Sequence, residues 1–273
     1  MILSTAEMKQ IAAAEAVKHI ENGMLIGLGT GSSANLMIAE VARKIREEGL
    51  KIEGAVATSK ATAALATELK IPLLELNQLF VSKKRSGKNA YTKQPIDLTI
   101  DGADEVTWDA DFETINLIKG RGGALLHEKV VASVSKSLII IGDEDKYVDS
   151  LAESIALPVE VMPFALEVVL WHISTMGLLL TDEDDQEVVC KPSVRMLDGK
   201  PYTTDHGHCI VDVKITGSET VDFDFFASLL STTPGVVEDG LFLGMATTCY
   251  LGKANGSIRT IQQGEHDLMD FDD

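Results

Sequence analysis

Short apolar runs that end in polar, glycine-bearing turns and then give way to helical periodicity recur through the first half of this chain. Residues 24–26 lead into Gly27-Leu28-Gly29-Thr30-Gly31-Ser32-Ser33, after which Leu36, Ala39, Val41 and Ile45 suggest a helix ending at Gly49. Residues 52–58, 72–76, 98–100 and 137–141 read as further strands, with a helix over 61–69. Ahead of them, Ser4 and Glu7 have capping-box spacing, and Asn22-Gly23 stops the first helix. Strands alternating with helices predict βαβ units and a mainly parallel, Rossmann-like sheet, so the chain falls in the α/β class. The polar turns all fall at carboxyl ends of strands, the rim where such sheets bind ligands.

After Asp149 the pattern changes. A strand over 157–161, a helix over 163–176, strands at 188–191, 193–196 and 209–213 and a helix over 224–230 predict a small α+β domain with an antiparallel sheet. Residues 245–251 and 256–261 return to the first domain. The expected division is 1–151 plus 243–262, then 152–242, then an acidic tail over 263–273. The basic stretch 82–93 is expected to be an exposed excursion, with a role in covering the site as the alternative. No apolar run of about 18 residues is foreseen as a membrane span. Three widely spaced cysteines read as free thiols, and with no export signal at the N-terminus the expected address is the cytoplasm. A net charge of −18 argues against nucleic acid and anionic membranes as partners, and an anionic ligand would need locally concentrated positive charge.

Three segments could build a site for such a ligand. Gly27-x-Gly29-x-Gly31-Ser32-Ser33 is a candidate phosphate cradle, in which glycines expose N–H groups, a helix N-terminus favours an anion and Thr30, Ser32 and Ser33 add hydroxyls. A plain strand-to-helix turn is the alternative. The dinucleotide fingerprint needs glycine where Ser32 stands, which argues against a nucleotide-dependent dehydrogenase. Asp101-Gly102-Ala103-Asp104 closes a strand with two carboxylates that could hold sugar hydroxyls and exchange their protons; they make a poor magnesium cage. Lys119-Gly120-Arg121-Gly122-Gly123 precedes a helix on which Glu128 lies off the apolar stripe. A carboxylate base beside a cation suits carbon-acid chemistry; an ordinary first-turn glutamate is the alternative. Lys9 and Lys146 are candidates for a phosphate. His127 is a weaker proton shuttle than Glu128, and Asp205-His206-Gly207 reads as a turn rather than a metal site.

Together these motifs, with Val56-Ala57-Thr58-Ser59, Leu157-Pro158-Val159-Glu160-Val161 and Pro234-Gly235-Val236-Val237, resemble ribose-5-phosphate isomerase type A over nearly the whole chain. The resemblance implies a Rossmann-like three-layer α/β/α domain carrying a smaller ferredoxin-like α+β domain. It also implies interconversion of D-ribose 5-phosphate and D-ribulose 5-phosphate through an enediolate, a homodimer or homotetramer, and no metal or organic cofactor. Glu128 matches the general base. Asp101, Asp104 and Lys119 match residues that bind the sugar and assist ring opening, with Gly102, Ala103, Gly120, Arg121 and Gly122 around them. Thr30, Gly31, Ser32, Ser33, Lys9 and Lys146 match the phosphate side. Arg121 stands where many members have glycine. A sugar-phosphate-sensing module is the competing reading; it would need the phosphate loop but not Glu128.

Overall fold

The computed structural model describes residues 2–85, 88–93, 95–180, 188–217 and 220–264. Helix α1 (Thr5–Val17) opens on the full capping box, with Ser4 and Glu7 exchanging bonds, and buries the small stripe Ala12, Ala13, Ala16 and Val17. Then come β1 (Leu25–Leu28), α2 (Ser32–Arg43), β2 (Gly54–Ala57), α3 (Lys60–Glu68), β3 (Phe80–Arg85), β4 (Lys88–Lys93) and β5 (Leu98–Gly102). After these follow β6 (Glu105–Asp109), β7 (Thr114–Ile118), α4 (Leu125–Ser133) and β8 (Leu138–Asp143). The second half holds β9 (Leu157–Val161), α5 (Leu166–Leu180), β10 (Val189–Val194), β11 (Met196–Leu197), β12 (Lys200–Pro201) and β13 (Cys209–Thr216). It ends with α6 (Phe223–Thr232), β14 (Val236–Asp239), β15 (Leu241–Ala246), β16 (Thr248–Gly252) and β17 (Ile258–Gln262).

The main sheet runs β17-β16-β8-β5-β1-β2, parallel except for β17. Strands β1 and β8 are buried along their length, as expected where both faces are covered. On one face Ala12, Ala16, Met37, Ile38, Val41 and Ala66 of the first three helices meet Ile26, Leu28, Ile100 and Ile141. The other is covered by α4 and a three-stranded antiparallel sheet, β15-β7-β6, through Val131, Leu117 and Phe242. From β1 the chain goes to β2 on one side and returns as β5 on the other. The topological switch point therefore lies between the carboxyl ends of β1 and β5, where open α/β sheets bind ligands.

The second sheet, β10-β13-β9-β14, is antiparallel and is built in the order β9-α5-β10-β13-α6-β14. That βαββαβ order is the ferredoxin-like pattern. Val169 and Ile173 of α5 and Phe226 and Leu230 of α6 close over Val159, Val161, Val211 and Val213.

Several elements differ from the sequence reading. Residues 72–76 form no strand: Leu73 makes a single bridge to Ala55 before a 3-10 turn at Leu76–Leu79. Pro72 has no N–H to give a further ladder. In place of the two strands expected over 188–191 and 193–196, β10 runs unbroken over Val189–Val194, because it is an edge, where Pro192 leaves no inward bond unmade, and Met196 begins β11. The stretch 245–251 divides at Thr247, which crosses from one sheet to the other. The hairpin β6–β7 has no counterpart in the sequence reading. The basic excursion contains a two-stranded ribbon, β3 with β4, while the acidic tail from residue 265 lies outside the described residues. Finally, Pro163–Leu180 is 18 residues long with a mean hydropathy of 1.5, enough by length and composition to cross a membrane. It presents Val169, Ile173, Met176 and Leu180 to the second core and leaves Phe164, Trp171 and Leu178 exposed.

Candidate active site

Asp101 stands at the end of β5 and is 1% exposed. One of its oxygens, Oδ1, accepts the N–H groups of Thr30 (3.0 Å) and Gly102 (2.7 Å). A Cβ on residue 29 would fall 2.1 Å from that oxygen, so glycine lets the loop after β1 close onto the aspartate. Gly31, at φ +112°, then turns the chain into α2 with no side chain capping the helix, so its first N–H groups stay open to an anion. Behind the loop, the Thr30 hydroxyl lies 2.7 Å from that of Thr58, 2.9 Å from Ser59 and 3.0 Å from Thr62. Thr62 in turn donates to Gly29 O at 2.9 Å. The Thr30 side chain thus braces the cradle from beneath, and Ser32 and Ser33 remain on its rim.

Lys119 follows β7 and is buried. Its ammonium is 2.9 Å from Asp101 Oδ2 and 3.5 Å from Glu128 Oε2, and it donates to Gly102 O. Glu128 sits in the first turn of α4, 5% exposed, and its Oε2 has no hydrogen-bond partner among the described residues. Gly120 (φ +101°) and Gly123 (φ +76°) form the left-handed turn that brings the end of β7 and the start of α4 together. Burial pushes the Glu128 carboxyl up to about 8; Lys119 opposes this, and Asp101 and Asp104 add to it. Burial works against the charge on Lys119, but Asp101, Glu128 and Asp104 outweigh it and raise its pKa. One ammonium is shared between two buried carboxylates. Asp101 is the closer partner and is also held by two N–H groups, whereas burial makes Glu128 slow to give up its proton.

That proton has a stability consequence. Unfolded, Glu128 releases it near the ordinary glutamate value of 4.5; folded, near 8. Between those limits the unfolded state binds fewer protons, so this group's contribution is full at acid pH and is lost as pH rises, at about 1.4 kcal/mol per pH unit. Glu128→Gln removes the term. The variant should melt above the wild type, by a margin that widens from pH 5 to pH 8.5 in thermal denaturation.

One pocket gathers Lys9, Thr30, Gly31, Ser32, Ser33, Gly102, Ala103, Asp104, Lys119, Gly120, Gly122, Glu128 and Lys146. Asp101 lies behind it. Lys9 reaches from α1 to donate to Ser32 Oγ (3.1 Å), with buried Asp143 3.6 Å away. Arg121 enters only through its backbone: its N–H donates to Asp104 Oδ2 at 2.9 Å, while its side chain lines a neighbouring pocket with Arg195 and Asp212. His127 also faces away, hydrogen-bonded to His206 of the turn after Thr204. Residues 204–207 do form that turn, with Gly207 at φ +83°. Glu105, contiguous with the aspartates in sequence, accepts N–H groups of Ala152, Ser154 and Ile155 and so ties down another loop. Sequence reasoning did not identify Asp143, Thr62, Arg195 or Tyr202, each of which carries no local motif.

Residues 54–256 match the family model for ribose 5-phosphate isomerase A (phosphoriboisomerase A). A ribose-5-phosphate isomerase A of Nitrobacter hamburgensis is 40% identical over 256 residues, covering 94% of this chain and 97% of that protein. The ribose 5-phosphate isomerase A structure from Methanocaldococcus jannaschii superposes with a TM-score of 0.79 at 34% identity, over 95% of this chain and all of that one. A solved D-ribose-5-phosphate isomerase in complex with phospho-erythronic acid also gives a TM-score of 0.79, at 32% identity, over 96% of this chain and all of that one.

Proposed function

The chain belongs to the ribose 5-phosphate isomerase A family and interconverts D-ribose 5-phosphate and D-ribulose 5-phosphate, and we propose that Glu128 is the base that carries the proton between C2 and C1. The observation that supports this assignment is its buried carboxylate, whose Oε2 has the Lys119 ammonium at 3.5 Å but no hydrogen bond among the described residues, in the same pocket as an uncapped helix N-terminus. The phosphate takes the α2 N-terminus, the hydroxyls of Ser32 and Ser33, and the ammonium groups of Lys9 and Lys146. The open-chain aldehyde then lies toward Lys119. Glu128 takes the C2 proton, a C1–C2 double bond forms, and the former carbonyl oxygen becomes an enediolate oxyanion stabilised by Lys119. A proton passes from O2 to O1, and Glu128 returns its proton to C1, leaving the ketone at C2.

Asp104 faces the pocket, with Oδ2 taken by the Arg121 N–H, and is our candidate for moving hydroxyl protons and for ring opening. Asp101 has both oxygens engaged by protein groups, so we assign it to holding Lys119 and the loop in place rather than to touching substrate. We divide the chain into 1–151 with 243–262, and 152–242; the two sheets and their separate cores support this, with β15 beginning at Leu241. A cytoplasmic address is supported by three buried free thiols. A homodimer or homotetramer is supported by the exposed Phe164, Trp171 and Leu178 on one helical segment.

Isomerisation of ribose 5-phosphate, followed as ketose formation with EDTA in excess, tests the reading. Sustained turnover is expected; binding without turnover would favour a sensor. Lys9→Ala should raise KM about 10- to 100-fold with a smaller effect on kcat, since a hydrogen bond to a charged group is worth about 1.5–3 kcal/mol.

A further inference from the structure

We infer that Arg195, anchored by Asp212, is a positioning residue for this reaction: it fixes the peptide planes of the 120–122 turn so that their N–H groups face Asp104 and the substrate. The inference rests on the isomerase reading of the pocket. Arg195 follows β10, and its Nε and Nη2 fork onto the two carboxylate oxygens of Asp212 on β13, with Nε–Oδ2 at 2.9 Å. Its remaining nitrogen, Nη1, donates to Gly120 O at 3.1 Å and Arg121 O at 2.8 Å.

These two carbonyls belong to consecutive peptides, and no peptide in the described chain is cis. In a trans peptide the N–H points away from the C=O. The first plane therefore sends the Arg121 N–H away from Arg195, and that N–H meets Asp104 Oδ2 at 2.9 Å. By the same geometry the second plane turns the Gly122 N–H away from Arg195, and Gly122 lines the substrate pocket. A donor on that side can stabilise the charge that develops on a sugar oxygen. Without the guanidinium, a turn with left-handed glycines at 120 and 123 has other conformations open to it.

Tyr202 completes the hold. Its N–H donates to Arg195 O at 2.8 Å and its hydroxyl to Gly122 O at 3.2 Å. Its ring occupies the space a Cβ on residue 123 would need. The turn that joins Lys119 to Glu128 is thus set from the second sheet. Lysine could not replace arginine here, because one ammonium cannot fork onto a carboxylate and span two carbonyls.

Arg195→Lys and Arg195→Ala test this against the wild type. Both are expected to lower kcat about 30- to 100-fold with KM changed less than about three-fold, the signature of misplaced groups with the phosphate contacts intact. Methylguanidinium should restore part of the Arg195→Ala rate and methylammonium should not. Amide hydrogen exchange should quicken over residues 119–124 while the main sheet stays protected. A lysine variant within about three-fold of wild-type kcat, or exchange that quickens equally everywhere, overturns the proposal. If Arg195→Ala does not fold, Asp212→Asn should give the same kcat loss, and an unchanged rate would overturn it. If the wild type fails to isomerise ribose 5-phosphate, the functional reading falls, and local exchange in the turn alone decides whether Arg195 holds it.

Discussion

Replacing Glu128 by glutamine should lower kcat about 10²–10⁴-fold while sugar-phosphate affinity stays within a few-fold of wild type. The amide keeps the shape of the carboxylate but cannot take a proton from carbon. The phosphate contacts proposed for Ser32, Ser33, Lys9 and Lys146 do not involve residue 128, so binding has no reason to weaken. The wild-type pH profile carries the same information. Burial holds the Glu128 proton to about 8 in the ligand-free pocket, so kcat/KM should rise with pH well beyond the range of an ordinary carboxylate and level off on the alkaline side. Solvent deuterium should enter C2 of recovered ribose 5-phosphate with the wild-type enzyme and not with the variant. If Glu128→Gln turned over within ten-fold of wild type, the base would lie elsewhere, and Asp104 would be the next carboxylate to test.

Much of this pocket is legible in the chain because its parts sit where local patterns change. The loop 29–33 and the aspartates at 101 and 104 each follow a buried parallel strand, whose apolar run is unmistakable because both faces are covered. Glycine marks the close approach at 29 and the turns at 120 and 123. What does not show is whatever depends on direction or on distance along the chain. Asp101 and Asp104 look equivalent three residues apart, yet one spends both oxygens on protein groups and the other opens to the pocket. Thr30 reads as a phosphate ligand, but its hydroxyl turns back to Thr58, Ser59 and Thr62. The hairpin β6–β7 is hidden because polar residues interrupt both short strands and an acidic turn joins them, so no long apolar run marks them. Arg195 reaches carbonyls 74 and 75 residues away, which no local pattern can foretell.

Lys119→Met should be the most costly single change in the pocket for stability. Asp101 and Glu128 are 1% and 5% exposed and share this one ammonium. Removing one partner of a buried pair leaves a charge that neither water nor protein compensates, which typically costs about 3–5 kcal/mol. The sign of its pH dependence follows. Without the ammonium, the folded-state pKa of Glu128 rises further above that of the unfolded chain. The deficit should therefore shrink toward pH 4–5, near the ordinary carboxylate range of about 4, and grow toward pH 8. Urea denaturation at the two ends of that range measures it. A second substitution isolates the cause. Adding Asp101→Asn removes the stranded charge, keeps a side-chain oxygen for the Thr30 N–H, and should recover part of the lost stability, because deleting both partners of a pair costs less than deleting one. Activity should stay lost in the double variant, since nothing then stabilises the enediolate oxygen. A double variant no more stable than Lys119→Met would mean that packing, not charge, makes Lys119 necessary to the fold. Recovery of stability without activity would instead show that the ion pair is kept for the transition state: the pocket tolerates a buried, half-compensated carboxylate because a fully paired Glu128 would be too weak a base to move the proton.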